Sequence, residues 1–182
     1  MTAPLSFQKS KRLIGEVDKD PLHVINKVFA EIDRDFLREI LGKWLYHALT
    51  IHQPPYEAIE QQLQLLFFHD QLVNLIESLY ITISKNEPEQ ELLNPLRVEL
   101  EKHAPCNQMI SDIKDEMLAI KRFYRVFTIE YVRSELWDWL VTAMIYHEQR
   151  PEGLKIEAII WVYEWVQYLT EAAFKMVSDE QE

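Results

Sequence analysis

Glycine is scarce in this sequence, with three residues among 182. Tight turns between strands usually need glycine, whereas a helix interior is destabilised by it, so the scarcity favours an all-α protein. A chain of this length with 48% hydrophobic content can bury one sizeable core. A single domain is therefore expected.

Cysteine and positively charged residues are also few. The only cysteine is Cys106, so neither an internal disulfide bond nor a zinc site of several thiolates can form within the chain. Lysine and arginine number 19 against 30 aspartate and glutamate residues, which gives a net charge of −11. A field of this sign repels nucleic acid and anionic membranes, so neither is expected as a partner.

The sequence has no long uninterrupted apolar segment. Residues 1–16 lack the apolar centre of a secretory signal. The most apolar stretch, 158–177, is interrupted on one face by Glu164, Gln167 and Glu171, which is unsuitable for a lipid-facing span. We therefore predict a cytoplasmic protein.

Helical periodicity dominates what is present. Within 158–177 the apolar residues recur at intervals of three and four and form two neighbouring stripes. The first stripe comprises Ile159, Val162, Val166, Leu169, Ala173 and Met176, and the second Trp161, Trp165, Tyr168 and Ala172. The polar strip that remains is narrow, so this helix is predicted to be covered on most sides, either centrally in the fold or at a subunit interface.

Three more long helices are predicted by the same spacing. The first begins at Asp20–Pro21, an N-cap followed by proline in the first turn, and runs unbroken to the prolines at 54–55. The second covers 56–84. The third covers 107–148, with a bend between Tyr131 and Leu136, where the stripe changes phase.

The predicted domain organisation follows from these helices. A flexible arm (1–19) precedes one helical domain (20–178) and a short tail (179–182). The domain consists of hairpin one (20–84), a connection (85–106) with a short helix that begins after Asn94, and hairpin two (107–178).

The two hairpins resemble each other when the first is shifted by about 95 positions. Rare residue types coincide, since Trp44 falls on Trp139 and His52 on His147. This coincidence favours an internal duplication over a chance match between two apolar stripes. The predicted fold is an elongated up-down-up-down four-helix bundle made from two similar hairpins.

Three polar residues are predicted to meet in one layer of this bundle. His69 lies on a core stripe, Tyr163 is its equivalent in hairpin two, and Glu135 is the equivalent of the core residue Ile40. A buried carboxylate needs a hydrogen-bonding partner or a proton, which histidine and tyrosine can supply. Two interpretations remain open: a structural layer that fixes the register of the helices, or a site for a small ligand or metal.

Catalytic and cofactor signatures are otherwise weak. The chain has neither the paired Glu-x-x-His motifs of di-iron bundles nor a His-Glu-x-x-His motif. His52 and His147 suit helix ends, where they interact with the helix dipole. The spacing of Arg97 and His103 resembles that of some helical ribonuclease domains, but it is short and lies in an acidic chain. No cofactor, metal ligand or catalytic residue is assigned.

The aromatic stripe of the last helix provides the other candidate site. Trp161, Trp165 and Tyr168 either pack against the first and third helices or form a patch for a partner, since aromatic residues are common at interface centres. Trp137 and Trp139 project from different sides of their helix, so one of them is expected outside the core. The sequence thus predicts a non-enzymatic protein that associates with itself, as a homodimer, or with an unidentified protein. The alternative is a bundle that binds a small ligand or metal and is conceivably an enzyme.

Overall fold

The chain is all-α over the residues that the structure describes, with six helices and no strand. A computed structural model describes residues 17, 19–50, 58–84, 105, 113–144 and 156–179. The helices are α1 (Pro21–Glu31), α2 (Arg34–Leu49), α3 (Ile59–Ser84), α4 (Glu116–Val126), α5 (Ile129–Met144) and α6 (Ile156–Asp179). None of these six helices combines the length and the hydropathy that a membrane crossing requires. The predicted fold class is confirmed at this level.

Three helices lie close to their predicted positions. α1 begins after Asp20, whose Oδ1 accepts a hydrogen bond from the backbone N–H of His23 at 3.0 Å, with Pro21 in the first turn. The helix predicted over 56–84 is observed as α3, and the apolar stretch 158–177 lies within α6. Capping chemistry and apolar periodicity therefore placed these elements correctly.

The first long helix is divided in two, so the prediction that it continues unbroken is wrong. Between α1 and α2, Ile32 is extended (φ −126°, ψ 113°). Asp33 then caps α2, because its Oδ1 accepts from the backbone N–H groups of Asp35 at 2.7 Å and Phe36 at 3.3 Å. These bonds satisfy N–H groups that the start of a helix leaves without partners, which stabilises a new helix at this point.

The third predicted helix is also divided, just before the expected bend. Phe127 is extended (φ −125°, ψ 138°), and the Thr128 hydroxyl accepts from the backbone N–H of Tyr131 at 3.3 Å at the start of α5. The predicted start at 107 lies outside the described residues, but 113–115 are not helical, and Asp115 is the N-cap of α4 and accepts from the N–H of Leu118 at 2.8 Å. A local cap therefore overrides an apolar stripe that continues past it.

The six helices pack around one core. α1 packs against α3, α4 packs against α6, and α2 contacts both α5 and α6, while α5 also contacts α3. Trp44 of α2 and Trp139 of α5 are the largest fully buried side chains among the described residues, and each is 0% exposed. Burial of this much apolar surface is the main term that stabilises the fold.

Several predicted features fall outside the described residues or at their margin. Val17, within the predicted arm, is described and is buried, with 2% of its surface exposed. The following predicted features lie outside the described residues: the prolines at 54–55, most of the connection 85–106 with its short helix, Cys106, His52, His147, Arg97, His103 and residues 180–182.

Candidate functional site

His69, predicted on a core stripe, is buried in α3 and is 3% exposed. Its ring centroid lies 6.3 Å from that of Trp44 and 5.9 Å from that of Trp137, the latter edge to face. Its Nδ1 lies 3.4 Å from Oδ1 of Asp70, and its Nε2 is buried with no hydrogen-bond partner. Because an ionised carboxylate can only accept, the neutral imidazole carries its proton on Nδ1 here, and Nε2 is then an acceptor.

Glu135 is half-buried in α5, and its Oε2 is a buried atom without a hydrogen-bond partner. Burial raises the pKa of this carboxyl above its ordinary value, hydrogen bonding by Tyr131 offsets part of the shift, and the charge of Asp138 adds to it. Burial, with a further contribution from Glu135, raises the pKa of the Tyr131 hydroxyl to about 12. The groups that perturb Glu135 therefore belong to its own helix.

The raised pKa of Glu135 predicts a pH-dependent gain in stability when this residue is replaced by glutamine. The unfolded chain releases the proton at a lower pH than the folded protein, so wild-type stability falls as pH rises from the ordinary value of 4.5 through the raised folded value. We expect Glu135→Gln to be more stable than wild type at pH 7 and about equal to it at pH 3 in urea titrations. The control is Glu39→Gln, which removes an exposed ion pair with Lys43 and should cost about 0.3–0.5 kcal/mol at pH 7. A loss of stability in Glu135→Gln at pH 7 would contradict this account.

Tyr163 lies in α6 and approaches α2. Its hydroxyl oxygen is 3.8 Å from the position that a Cβ on Gly42 would occupy. It accepts a hydrogen bond from Nε2 of Gln167 at 2.6 Å. Burial raises the pKa of this hydroxyl, and the charge of Arg38 opposes the shift. Tyr163 therefore fills the space over a glycine and has a polar partner on its own helix.

The three residues of the predicted polar layer have separate surroundings. None of the hydrogen bonds, ion pairs or ring contacts of His69, Glu135 and Tyr163 within the described part of the chain joins two of them. In the same ranges, no three His, Cys, Asp or Glu side chains are grouped to hold a metal ion. A joint site of the three stays a prediction, and the structure places His69 with other residues.

A cleft of about 380 Å³ lies between α3 and α5. This volume falls in the range of about 300–1,000 Å³ that small-molecule sites occupy. It is lined by His69, Asp70, Val73, Glu130, Arg133, Ser134 and Trp137. We call it the α3–α5 cleft. Sequence reasoning found His69 and missed the others, although Trp137 offered a signal: it stands where the equivalent position of the first half is Gly42.

The aromatic stripe of α6 packs largely inside the chain. Trp165 and Tyr168 are 3% and 4% exposed. The Trp165 ring lies 6.5 Å from Phe123, 6.2 Å from Phe127 and 5.7 Å from Tyr168, measured between centroids. Trp161 is half-buried, 4.6 Å from Phe127. Packing within the fold was one of the two alternatives for these residues, and it leaves only Trp161 with substantial surface in contact with solvent.

An exposed apolar face lies instead on the first turns of α3. Ile59, Leu63 and Phe67 are 73%, 58% and 50% exposed. A spacing of four residues places them on one side of successive turns. We call these three residues the α3 apolar face. Glu60 is the only charged residue within 58–67.

Glu171 is the most deeply buried carboxylate among the described residues, at 3% exposed, and it joins α6 to α2. Arg34 donates two hydrogen bonds to it, from Nε to Oε1 at 3.1 Å and from Nη2 to Oε2 at 2.6 Å. Nη2 of Arg38 lies 2.7 Å from Oε1. The hydrogen bond to Glu171 raises the pKa of Arg34 above its ordinary value. A buried carboxylate is thereby compensated by two cations that remain partly in water.

A second ion pair between the halves mirrors this one. Nη1 of Arg133 in α5 lies 3.0 Å from Oε1 of Glu77 in α3. Arg133 lies 95 positions after Arg38, and Glu77 lies 94 positions before Glu171. Each half of the chain therefore provides an arginine to a glutamate of the other.

Comparison of the chain with models of known protein families, with curated proteins and with solved structures gave no match. Any function must therefore be inferred from the geometry of the chain itself.

Proposed function

We propose that this protein is a four-helix bundle of two repeated halves and that it acts, without a catalytic role, by associating with a second copy of itself. The surface through which it does so is the α3 apolar face, defined by Ile59, Leu63 and Phe67. The observation that carries this proposal is the exposure of these three large apolar side chains on successive turns of one helix.

The helix boundaries support the repeat. α1 and α4 are separated by 95 positions at both ends, and α2 and α5 are separated by 95 positions at their starts. The caps follow the same shift, since Asp20 and Asp115 each accept from the N–H three residues later. Asp33 and Thr128 cap the next helices in the same way. Two unrelated apolar helical segments would not be expected to be interrupted at equivalent residues.

The packing supports an arrangement with an approximate two-fold axis. An exchange of the two halves replaces α1 by α4, α2 by α5 and α3 by α6, and the reverse. The contact between α1 and α3 then corresponds to that between α4 and α6, and the contact between α2 and α6 to that between α5 and α3. All four contacts are present. The α2–α5 contact is its own equivalent. In the proposed bundle, α1 with α2 and α4 with α5 act as two interrupted arms, and α3 and α6 are the continuous ones.

Association is favoured by the apolar surface that it removes from water. Fully burying a leucine, isoleucine or phenylalanine side chain contributes about 1.5–3 kcal/mol. Contiguous exposed apolar residues on an otherwise polar surface are typical of interaction sites. Because Trp165 and Tyr168 lie in the core, the proposed interface is on α3 and not on the aromatic stripe of α6.

A second copy is the partner that this face fits best. The chain carries a net charge of −11, which opposes self-association over most of its surface. On α3, Gln64 and Glu60 flank the α3 apolar face, and the exposed Asp70 lies three residues beyond Phe67. The Gln64 amide both donates and accepts, so it can pair with the same residue across a two-fold interface.

Light scattering after size-exclusion chromatography tests the proposal. Wild type should elute as a dimer and Leu63→Glu as a folded monomer, because the new carboxylates would face each other across the interface. Leu118→Glu is the matched control: it places the same charge on another partly exposed leucine, in α4, and should stay dimeric. A monomeric wild type at high concentration, or a Leu63→Glu variant that dimerises as wild type does, would refute the proposal.

A further inference from the structure

The α3–α5 cleft includes no residue of the α3 apolar face and plays no part in the proposed self-association. From its lining we propose that it binds a small organic cation, a protonated primary or secondary amine with an apolar body. Three features of the cleft point to this class: an aromatic wall, two exposed carboxylates, and a buried acceptor without a donor.

The wall of the cleft is aromatic and apolar. Trp137 is half-buried, and the edge-to-face contact of its ring with His69, at 5.9 Å and 71°, holds it against α3. Val73 adds aliphatic surface. The face of an indole ring attracts cations more strongly than that of any other side chain, and an apolar ligand body is stabilised by burial against it.

The charges that line the cleft favour a cation. Asp70 and Glu130 contribute two carboxylates, and both side chains are exposed at the mouth of the cleft. The only cation in the lining is Arg133, which pairs with Glu77 at 3.0 Å. An anionic ligand would approach two carboxylates and a guanidinium that is already paired, within a chain of net charge −11.

The buried histidine has an acceptor that lacks a donor. In the neutral imidazole, the contact between Nδ1 and Asp70 places the proton on Nδ1 and leaves Nε2 as an acceptor, and Nε2 has no partner although the residue is only 3% exposed. A protonated amine carries several N–H donors, whereas a carboxylate ligand carries none. A protonated amine is thus compatible with the unpaired acceptor of this lining residue, and a carboxylate is not.

The equivalent place in the other half of the chain is filled by its own side chains. Tyr163 and Gln167 stand where the cleft has His69 and Val73, and they are hydrogen-bonded to each other at 2.6 Å above Gly42. The residues on α3 are smaller than their equivalents on α6, whereas Trp137 of α5 stands where α2 has Gly42. The cleft is therefore a difference between two otherwise similar halves, and its space does not follow from the helix packing alone.

Three matched probes test the ligand class: 3-phenylpropylamine, the neutral 3-phenylpropan-1-ol and the anion 3-phenylpropanoate. The readout is the indole N–H signal of Trp137 in ¹H–¹⁵N NMR spectra, assigned with Trp137→Phe. The amine should shift this signal saturably, with a dissociation constant on the order of 1 mM for so small a ligand. The alcohol should bind several-fold more weakly, and the acid should cause no saturable shift.

Charge-removing variants locate the binding. Glu130→Gln and Asp70→Asn should each weaken the amine about two- to fivefold, the usual effect of one exposed ion pair. Their matched controls remove the same charge at the equivalent positions of the other half, Asp35→Asn and Glu164→Gln, and should leave the affinity unchanged. All four side chains lie at least partly in solvent, so folding is preserved.

Three outcomes would overturn the inference. They are no saturable shift with the amine, equal or tighter binding of the alcohol or the acid, and equal losses of amine affinity in the cleft variants and in their controls. Because the readout is the Trp137 signal and not the oligomeric state, failure here is distinct from failure of the proposed self-association.

Discussion

The double variant Arg34→Met/Arg38→Met is expected to lose about 3–5 kcal/mol of its free energy of unfolding. Both arginines contact Glu171, whose side chain is only 4% exposed, so their removal leaves a buried carboxylate with neither a cation nor a hydrogen-bond donor from them. Such a group must either stay charged in a poorly solvated place or take up a proton. Urea denaturation, with the midpoint and the slope fitted separately, measures the loss.

Removing the charge of Glu171 should lower the free energy of unfolding less than removing the two arginines. Glu171→Gln keeps an acceptor oxygen and leaves behind two arginines that are 40% and 42% exposed, which water can solvate. We expect a loss of about 1–2 kcal/mol. Arg133→Met is a matched control at the mirrored ion pair, where Glu77 is 18% exposed, and should cost about 1 kcal/mol. A larger loss of stability in Glu171→Gln than in the double arginine variant would contradict the prediction that the unpaired carboxylate is costlier than the unpaired arginines.

Replacing Trp44 by alanine should cost about 3–5 kcal/mol, the range for removing a large aromatic side chain from a packed core. The side chain is 0% exposed and packs edge to face on Phe68, with ring centroids 5.1 Å apart. Alanine would leave a cavity that rigid helices can close only in part. The free energy of unfolding in urea measures the effect.

Two other tryptophans provide the comparison for Trp44→Ala. Trp139→Ala, at the equivalent position and also 0% exposed, should cost nearly the same. Trp137→Ala should cost about 1–2 kcal/mol, because this side chain is half-buried at the cleft and gives up less apolar contact. A Trp137→Ala variant as unstable as Trp44→Ala would show that the cleft wall is part of the core.

Periodicity located the helices well and their interruptions poorly. α3 lies within three residues of its predicted start, because its apolar stripe is long and preceded by prolines. The breaks at Asp33 and Thr128 were missed because the stripe keeps its phase across the first and shifts only after the second. The available signal was local: both residues are good N-cap types inside an apparent helix, yet neither is followed by proline as Asp20 is.

The predicted polar site shows that an apolar stripe specifies the burial of a residue but not its neighbours on other helices. His69 was placed correctly in the core, since its position on the helix decides its burial. The neighbours of Glu135 and Tyr163 were deduced by counting along straight helices, which takes no account of the division into α4 and α5 with their different partners. One of Trp137 and Trp139 was expected outside the core; Trp139 is 0% exposed, whereas Trp137 is half-buried and packs against the core.

Aromatic content did not distinguish core from interface. Trp165 and Tyr168 have the composition of an interface centre and lie in the core, whereas the more ordinary Ile59 and Leu63 are exposed. Burial depends on which face a neighbouring helix covers, and that is a property of the tertiary arrangement. The sequence therefore predicted association as a mode of action but assigned it to residues that the fold uses for its own packing.

Native mass spectrometry of the unmodified chain over a dilution series is the most direct test of the proposed self-association. We predict a species of two 21.8 kDa chains that gives way to single chains on dilution. In Leu63→Glu the single chain should dominate at every concentration, and in Leu118→Glu the two-chain species should persist. A wild-type spectrum that contains only single chains at the highest attainable concentration would contradict the account.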